Sequence, residues 1–269
     1  MPELPEVETI KNQISTLFPM KITSFKTSAV AGSILKVREF EPVGKKIVKA
    51  SRVGKLLVIE LEKKLVMLSH LGMSGSWRMG KEATAEKHAH IIISGKGKQL
   101  SYVDPRRFGN LYLVERGSPA FLKVMKNIGV DISSGDFTEE YCYSAIRKYP
   151  ERPIKVSLLD QGLFAGCGNY IASEICAHAG VRPTRKCRNI TKAEAGRIQR
   201  ATGLVIGGGI ASGGNTFSGG YVDSYGEAGE GVKNLVVFYQ KECGLCKKSA
   251  VKKIELGGRG TYYRPACQK

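Results

Sequence analysis

A chain of 269 residues, 42% apolar and 25% charged, is long enough to bury a substantial core, and its length suggests two domains. That composition excludes a largely disordered chain and a disulfide-stapled miniprotein; no run approaches the ~18 apolar residues of a membrane helix, and no signal-peptide pattern opens the sequence. Forty-two Lys and Arg against 24 Asp and Glu give a net charge of +18, a self-repulsion that a soluble protein sustains when a polyanion neutralises it.

The opening predicts a helix. Pro5 suits a first turn, Glu3, Glu6 and Glu8 suit the positive end of the dipole, and Val7, Ile10, Ile14 and Leu17 recur at helical spacing. From about residue 21 to 115 short β-branched and apolar runs take over. KLLVIEL and LVMLSHL flank EKK as one hairpin, and HIIIS and QLSYV flank GKGK as another, which argues for a sandwich or barrel. Beyond RGSPAFLKV four segments turn helical: AFLKVMKNI, TEEYCYSAIRKY, NYIASEICAHA and KAEAGRIQRATGLVI, with Thr138 and Thr191 as N-caps. The glycine-crowded stretch 207–231 is expected to be a mobile loop. The last 29 residues hold eight Lys or Arg, two Glu and three Cys, a local charge of +6. The expected class is α+β: a helix plus β-domain over 1–131, a helical domain over 132–231, and a basic cysteine module over 232–269.

Nucleic acid is the favoured polyanion. No basic amphipathic helix with a strong apolar face supports a membrane partner. An intracellular monomer associated with nucleic acid is expected, with prokaryotic cytoplasm, nucleus and virus all left open. At the amino terminus, Pro2 follows Met1, and a small second residue permits removal of that methionine. The exposed secondary amine, titrating near ~7.7–8.0, would be partly neutral at pH 7. Attack on a sugar C1′ would give a cationic iminium, an electron sink for releasing a base and then eliminating phosphate. Glu3 could shuttle protons, and Glu6 lies one turn on. On spacing alone, PELPE is better read as a capped helix start.

Five ordered segments change that balance. MPELPEVETI resembles the amino-terminal signature of the formamidopyrimidine-DNA glycosylase family, whose sister branch is endonuclease VIII. SHLGMSGSW and YVDPRRFGNLYL resemble the strand-end segments lining its DNA cleft. DQGLFAGCGNYIASEICAHAGVRP resembles its helix–two-turn–helix, and GGRGTYYRPACQ the end of its zinc finger. The resemblance spans essentially the whole chain and implies a β-sandwich domain, a helical domain and a zinc-finger-like β-hairpin. It implies Pro2 as nucleophile, Glu3 as proton shuttle, Glu6 as support, and Lys55 on a hairpin turn reaching DNA near the lesion. Met73, Arg106 and Phe108 would fill the hole left by an extruded nucleotide: apolar wedges restore stacking and an arginine fork holds the orphaned base. Arg107 would be structural or phosphate-directed. Asn169 and Arg259 would clamp the lesion phosphate, the former at a helix start, and Lys155 would lie near the base pocket. Residues 209–226 occupy the place of the loop that closes over the flipped base.

Cys243 and Cys246 have metal-ligand spacing, and followed by the distant Cys267 they resemble half of a four-cysteine zinc ribbon. Arg264 stands where the family's remaining cysteine falls. Zn2+ completed by a non-cysteine group is the expectation; a weakened site and a zincless hairpin held by packing stay open. Cys142, Cys167 and Cys176 fit core positions, and Cys187, within RKCRN, is expected to be exposed. The expected activity is excision of oxidised purines such as 8-oxoguanine and formamidopyrimidines from double-stranded DNA, followed by β,δ-elimination at the abasic site. The competitors are a catalytically silent damaged-DNA binder, an endonuclease VIII-like preference for oxidised pyrimidines, and a zinc-type DNA-binding regulator.

Overall fold

The computed structural model describes residues 2–82, 85–217 and 220–269. Met1, whose removal would free the Pro2 amine, and positions 218 and 219 of the glycine-rich loop lie outside the described residues. The chain forms two compact units, Met1–Lys126 with Ser212–Glu230, and Asn127–Ala211 with Gly231–Lys269.

The first unit is a β-sandwich with one helix. Helix α1 (Leu4–Ser15) buries Val7, Ile10 and Ile14, the residues whose spacing predicts it. Short strands β1 (Met20–Lys21), β2 (Ser24–Thr27) and β3 (Leu35–Arg38) lead into β4 (Lys46–Val53), β5 (Leu56–Leu61) and β6 (Leu65–His70). After β7 (Ser76–Met79) come β8 (Ala89–Gly95), β9 (Lys98–Val103) and β10 (Asn110–Glu115). They form a six-stranded sheet of order β1-β4-β5-β6-β10-β3 and a four-stranded sheet of order β2-β8-β9-β7. Both predicted hairpins are present as the antiparallel pairs β5–β6 and β8–β9. Trp77 and Tyr102 are fully buried within this core, and the Trp77 indole donates to Ser69 Oγ at 3.0 Å. Packing two sheets face to face resolves the choice between sandwich and barrel.

Unit one also contains the short helix α2 (Pro119–Met125), capped by Ser118. The second unit begins with helix α3 (Glu139–Arg147), whose N-cap Thr138 accepts the Tyr141 N–H at 3.1 Å. Helices α4 (Ile154–Leu158) and α5 (Asn169–His178) follow, then α6 (Lys192–Ala211) and the hairpin β11 (Lys252–Leu256)–β12 (Arg259–Tyr263). Thr191 and Glu194 exchange capping bonds at 2.9 and 3.2 Å at the start of α6.

Three expectations change. Glycine-rich 207–231 is not loop throughout, because α6 continues to Ala211 with Ile206 and Gly209 buried. Helix α4 had no sequence signal, being a single short turn after Pro153. Cys187 is buried, not exposed: its short 3-10 turn packs inward, with Sγ 3.2 Å from Ser157 Oγ and its N–H bonded to the Arg152 carbonyl. Cys142 and Cys176 are buried as expected, and burial pushes each thiol up to about 12.

Candidate active site and nucleic-acid interface

Three side-chain clusters, two in the first unit and one in the second, hold the expected site residues other than Lys55 and the three cysteines. The first is the start of α1. Pro2, Glu3 and Glu6 are all buried, although Pro2 opens the described chain. Chain ends fray unless tied down, and Glu6 supplies the tie. Its Oε2 accepts the Glu3 N–H at 2.7 Å, while Oε1 accepts the Asn215 backbone N–H at 2.8 Å and its side-chain amide at 3.3 Å. Gly214 (φ +89°) permits this approach, since a Cβ there would meet Glu6 Cγ at 3.0 Å and the Tyr221 ring at 2.9 Å. One carboxylate thereby ties the Glu3 backbone to Asn215 within the glycine-rich stretch. Asn215 carries no motif, so no sequence signal could have found it.

The second cluster gathers strand-end turns. Asp104 is fully buried; its Oδ1 accepts from Ser74 Oγ at 2.6 Å and its Oδ2 from the Gly109 N–H at 2.8 Å. The Arg106 N–H in turn donates to Ser74 Oγ at 3.2 Å. One carboxylate therefore lashes the 71–75 turn to the 104–109 turn. Met73 and Phe108 emerge from these turns 41% and 51% exposed, a poor state for large apolar groups unless a partner covers them. The Arg106 guanidinium lies over the Phe108 ring, 4.7 Å from its centre. Arg107 is exposed in the left-handed region at φ +55°, a conformation that costs a non-glycine residue about 1 kcal/mol or more.

Lys55 tops the β4–β5 turn beside Gly54 (φ +59°), half-buried. Its charge reaches His70, which the sequence reading did not single out. Burial first, then Lys55, hold the His70 imidazole below its ordinary value, and Nδ1 accepts the Gly72 N–H at 3.2 Å. The ring is thus mainly neutral at pH 7, and with Nδ1 accepting, its proton sits on Nε2.

The third cluster lies in the second unit. Lys155, which the sequence alone would leave as a surface charge, is fully buried. Its Nζ donates to Asn169 Oδ1 at 2.6 Å and to Thr261 Oγ1 at 2.8 Å, and Asn169 Nδ2 donates to the Gly260 carbonyl at 3.0 Å. These bonds join α4, the first residue of α5 and strand β12. Arg259, at the start of β12, is exposed, and Thr261 Oγ1 donates to its carbonyl at 3.1 Å. Thr261 is the member of this group that sequence motifs did not reveal.

The cysteine module does not present a four-ligand zinc site. Cys246 and Cys267 sulfurs lie 3.9 Å apart, but the Arg264 guanidinium donates to Cys243 Sγ at 3.2 Å. A guanidinium has no lone pair to give a metal and repels a dication. Among the described residues no group of three or more His, Cys, Asp or Glu side chains is arranged to hold a metal.

Comparisons with known proteins agree along the chain. Residues 1–111 match the model for the formamidopyrimidine-DNA glycosylase N-terminal domain, and residues 128–219 that for its H2TH domain. The formamidopyrimidine-DNA glycosylase of Listeria monocytogenes is 34% identical, with the whole of both chains aligned. That of Pelotomaculum thermopropionicum is also 34% identical, over 100% of this chain and 99% of its own. The crystal structure of MutM (Fpg) from Thermus thermophilus superposes with a TM-score of 0.86 at 31% identity, covering 99% of this chain and 98% of that one. Lactococcus lactis Fpg bound to abasic-site DNA superposes with a TM-score of 0.87 at 28% identity over all of both chains.

Proposed function

The chain belongs to the formamidopyrimidine-DNA glycosylase family, and from that premise we propose a bifunctional DNA glycosylase and apurinic/apyrimidinic lyase of base excision repair. Its substrate is double-stranded DNA carrying oxidised purines or abasic sites, so it works inside the cell wherever DNA is. The observation carrying this reading is the doubly bonded Glu6 carboxylate, which holds residues 2 and 3 in one place at a terminus that would otherwise fray.

With Met1 removed, the Pro2 nitrogen attacks C1′ of the extruded nucleotide. The C1′–base bond breaks, its electrons leave with the base, and Glu3 delivers a proton to the sugar ring oxygen as the ring opens. The amine proton passes to the departing base, and the freed nitrogen lone pair closes the C=N bond of an iminium on the opened sugar as its C1′–O bond breaks. Removal of a C2′ proton then expels the 3′ phosphate, and a second elimination expels the 5′ phosphate. Met73 and Phe108 occupy the vacated stack while Arg106 leaves its ring contact to hold the orphaned base. Lys55, Asn169 and Arg259 bind phosphate; Lys155 orients Asn169, and Arg107 stabilises its turn or takes a further phosphate. Residues 1–126 carry the chemistry together with 212–230, which the 132–231 boundary expected from sequence assigns to the helical domain; 127–211 carry the helix–two-turn–helix and 231–269 the hairpin. Zinc enters no step.

Borohydride reduction on an 8-oxoguanine oligonucleotide is expected to give a covalent protein–DNA adduct. Pro2→Gly should lower or abolish that adduct. Glu3→Gln should stop base release while leaving cleavage at a preformed abasic site. Absence of any adduct, or an intact mass that retains Met1, would leave a DNA-binding scaffold without lyase action.

A further inference from the structure

Arg264 is 8% exposed, and among the described residues no carboxylate pairs with it. Burying a guanidinium without compensation is costly, so its partners carry the explanation. Nη1 donates to Cys243 Sγ at 3.2 Å and Nη2 to the Ala177 carbonyl, near the end of α5, at 3.0 Å. The Arg264 backbone N–H donates to Gln268 Oε1 at 2.7 Å, and Gln268 Nε2 donates onward to the Val181 carbonyl at 2.8 Å. The same side chain therefore grips the cysteine loop and helix α5, while its backbone anchors the chain's last turn. A structural metal in a cysteine ribbon does this job by joining loops that share too little apolar surface to hold themselves.

We propose that Arg264 replaces the metal: its guanidinium cross-links the C-terminal hairpin module, which folds without zinc. The position that would supply a thiolate supplies a cation instead. A cation bonded through its two Nη atoms to sulfur and carbonyl oxygen, with its buried Nε left without a hydrogen-bond partner among the described residues, occupies the corner that a dication would need. This inference is independent of the reaction proposed above, because it is read through metal content and melting rather than turnover.

The test uses the full chain. Purified protein, grown and refolded with zinc present, should carry far less than one zinc per chain, and a strong chelator should leave Tm unchanged. Arg264→Cys should bind one zinc per chain and acquire a Tm that falls on chelation. Arg264→Met should bind no more zinc than the parent and melt lower by roughly 4–8 °C, the loss of a buried charge-assisted bond in a chain of this size. Cys243→Ala should melt lower too, and adding it to Arg264→Met should cost little more, since both remove one contact. Stoichiometric zinc in the parent with a chelator-sensitive Tm overturns the proposal. So does an Arg264→Met protein that melts with the parent, or an Arg264→Cys protein that takes up no zinc.

Discussion

Glu6 orders the start of α1, where the proposed nucleophile lies, because its two oxygens face two different backbone N–H partners. Glu6→Gln keeps the shape but replaces one acceptor by a donor, so one N–H must face another. Losing a hydrogen bond to a charged group costs about 1.5–3 kcal/mol, and each 1.36 kcal/mol is tenfold in rate. Borohydride trapping should therefore slow roughly tenfold to a hundredfold in a protein that still melts cooperatively; an unchanged rate would detach Glu6 from the chemistry. His70 makes a prediction in pH. Its folded value lies below the ordinary one, so the unfolded chain takes up the proton first as pH falls. The stability it contributes is complete above the unfolded value of about 6.5 and drains away as pH drops toward the folded value. His70→Asn, which keeps an acceptor for the Gly72 N–H, should flatten the Tm-against-pH curve below that point. An equally steep curve in the variant would assign the slope to another group.

Elements carry these residues through close approaches that the turns alone permit. Gly72 sits at φ +68°, and a Cβ there would lie 2.5 Å from the Phe108 backbone carbonyl. Gly72→Ala must then push the 104–109 turn away, moving Phe108 and Arg106 from Met73. Destabilisation beyond the ~1 kcal/mol of a left-handed alanine is expected in urea unfolding, together with weaker binding to an abasic-site duplex. A variant as stable and as tight-binding as the parent would show that the two turns need not abut. This element scale is also where the sequence stops being legible. Helix α1 and the two hairpins follow from spacing within a few residues. The Lys155–Thr261 bond spans 106 positions and the Glu6–Asn215 bond 209, and neither leaves a local pattern. Arg264 was visible as a departure from the cysteine spacing, but nothing local said that its side chain would turn back onto Cys243. Cys187 misled for the same reason: its basic neighbours project outward while a short turn carries the thiol in.

At the scale of the whole molecule, a charge of +18 supplies affinity for any duplex, so affinity alone cannot identify the phosphate-binding residues. The salt dependence can. Each phosphate neutralised by a cation contributes a slope of about −0.9 in log K against log salt, because counterions leave the DNA. Arg259 is exposed and Lys55 half-buried at a turn tip, so both can reach phosphate, and replacing either by Ala should flatten the slope by about one unit. Lys155 is fully buried and already bonded to Asn169 and Thr261, so its charge is committed within the fold. Lys155→Met should weaken binding through Asn169 while leaving the slope alone. Arg106→Ala should also leave it alone if, as proposed, that arginine holds the orphaned base, and should relax preference for the base opposite the lesion instead. Anisotropy titrations between roughly 50 and 200 mM salt, on a duplex with an uncleavable abasic analogue, separate these classes. If all four variants shift the slope equally, phosphate binding is spread over the basic surface, and Arg259 and Lys55 lose their assigned places.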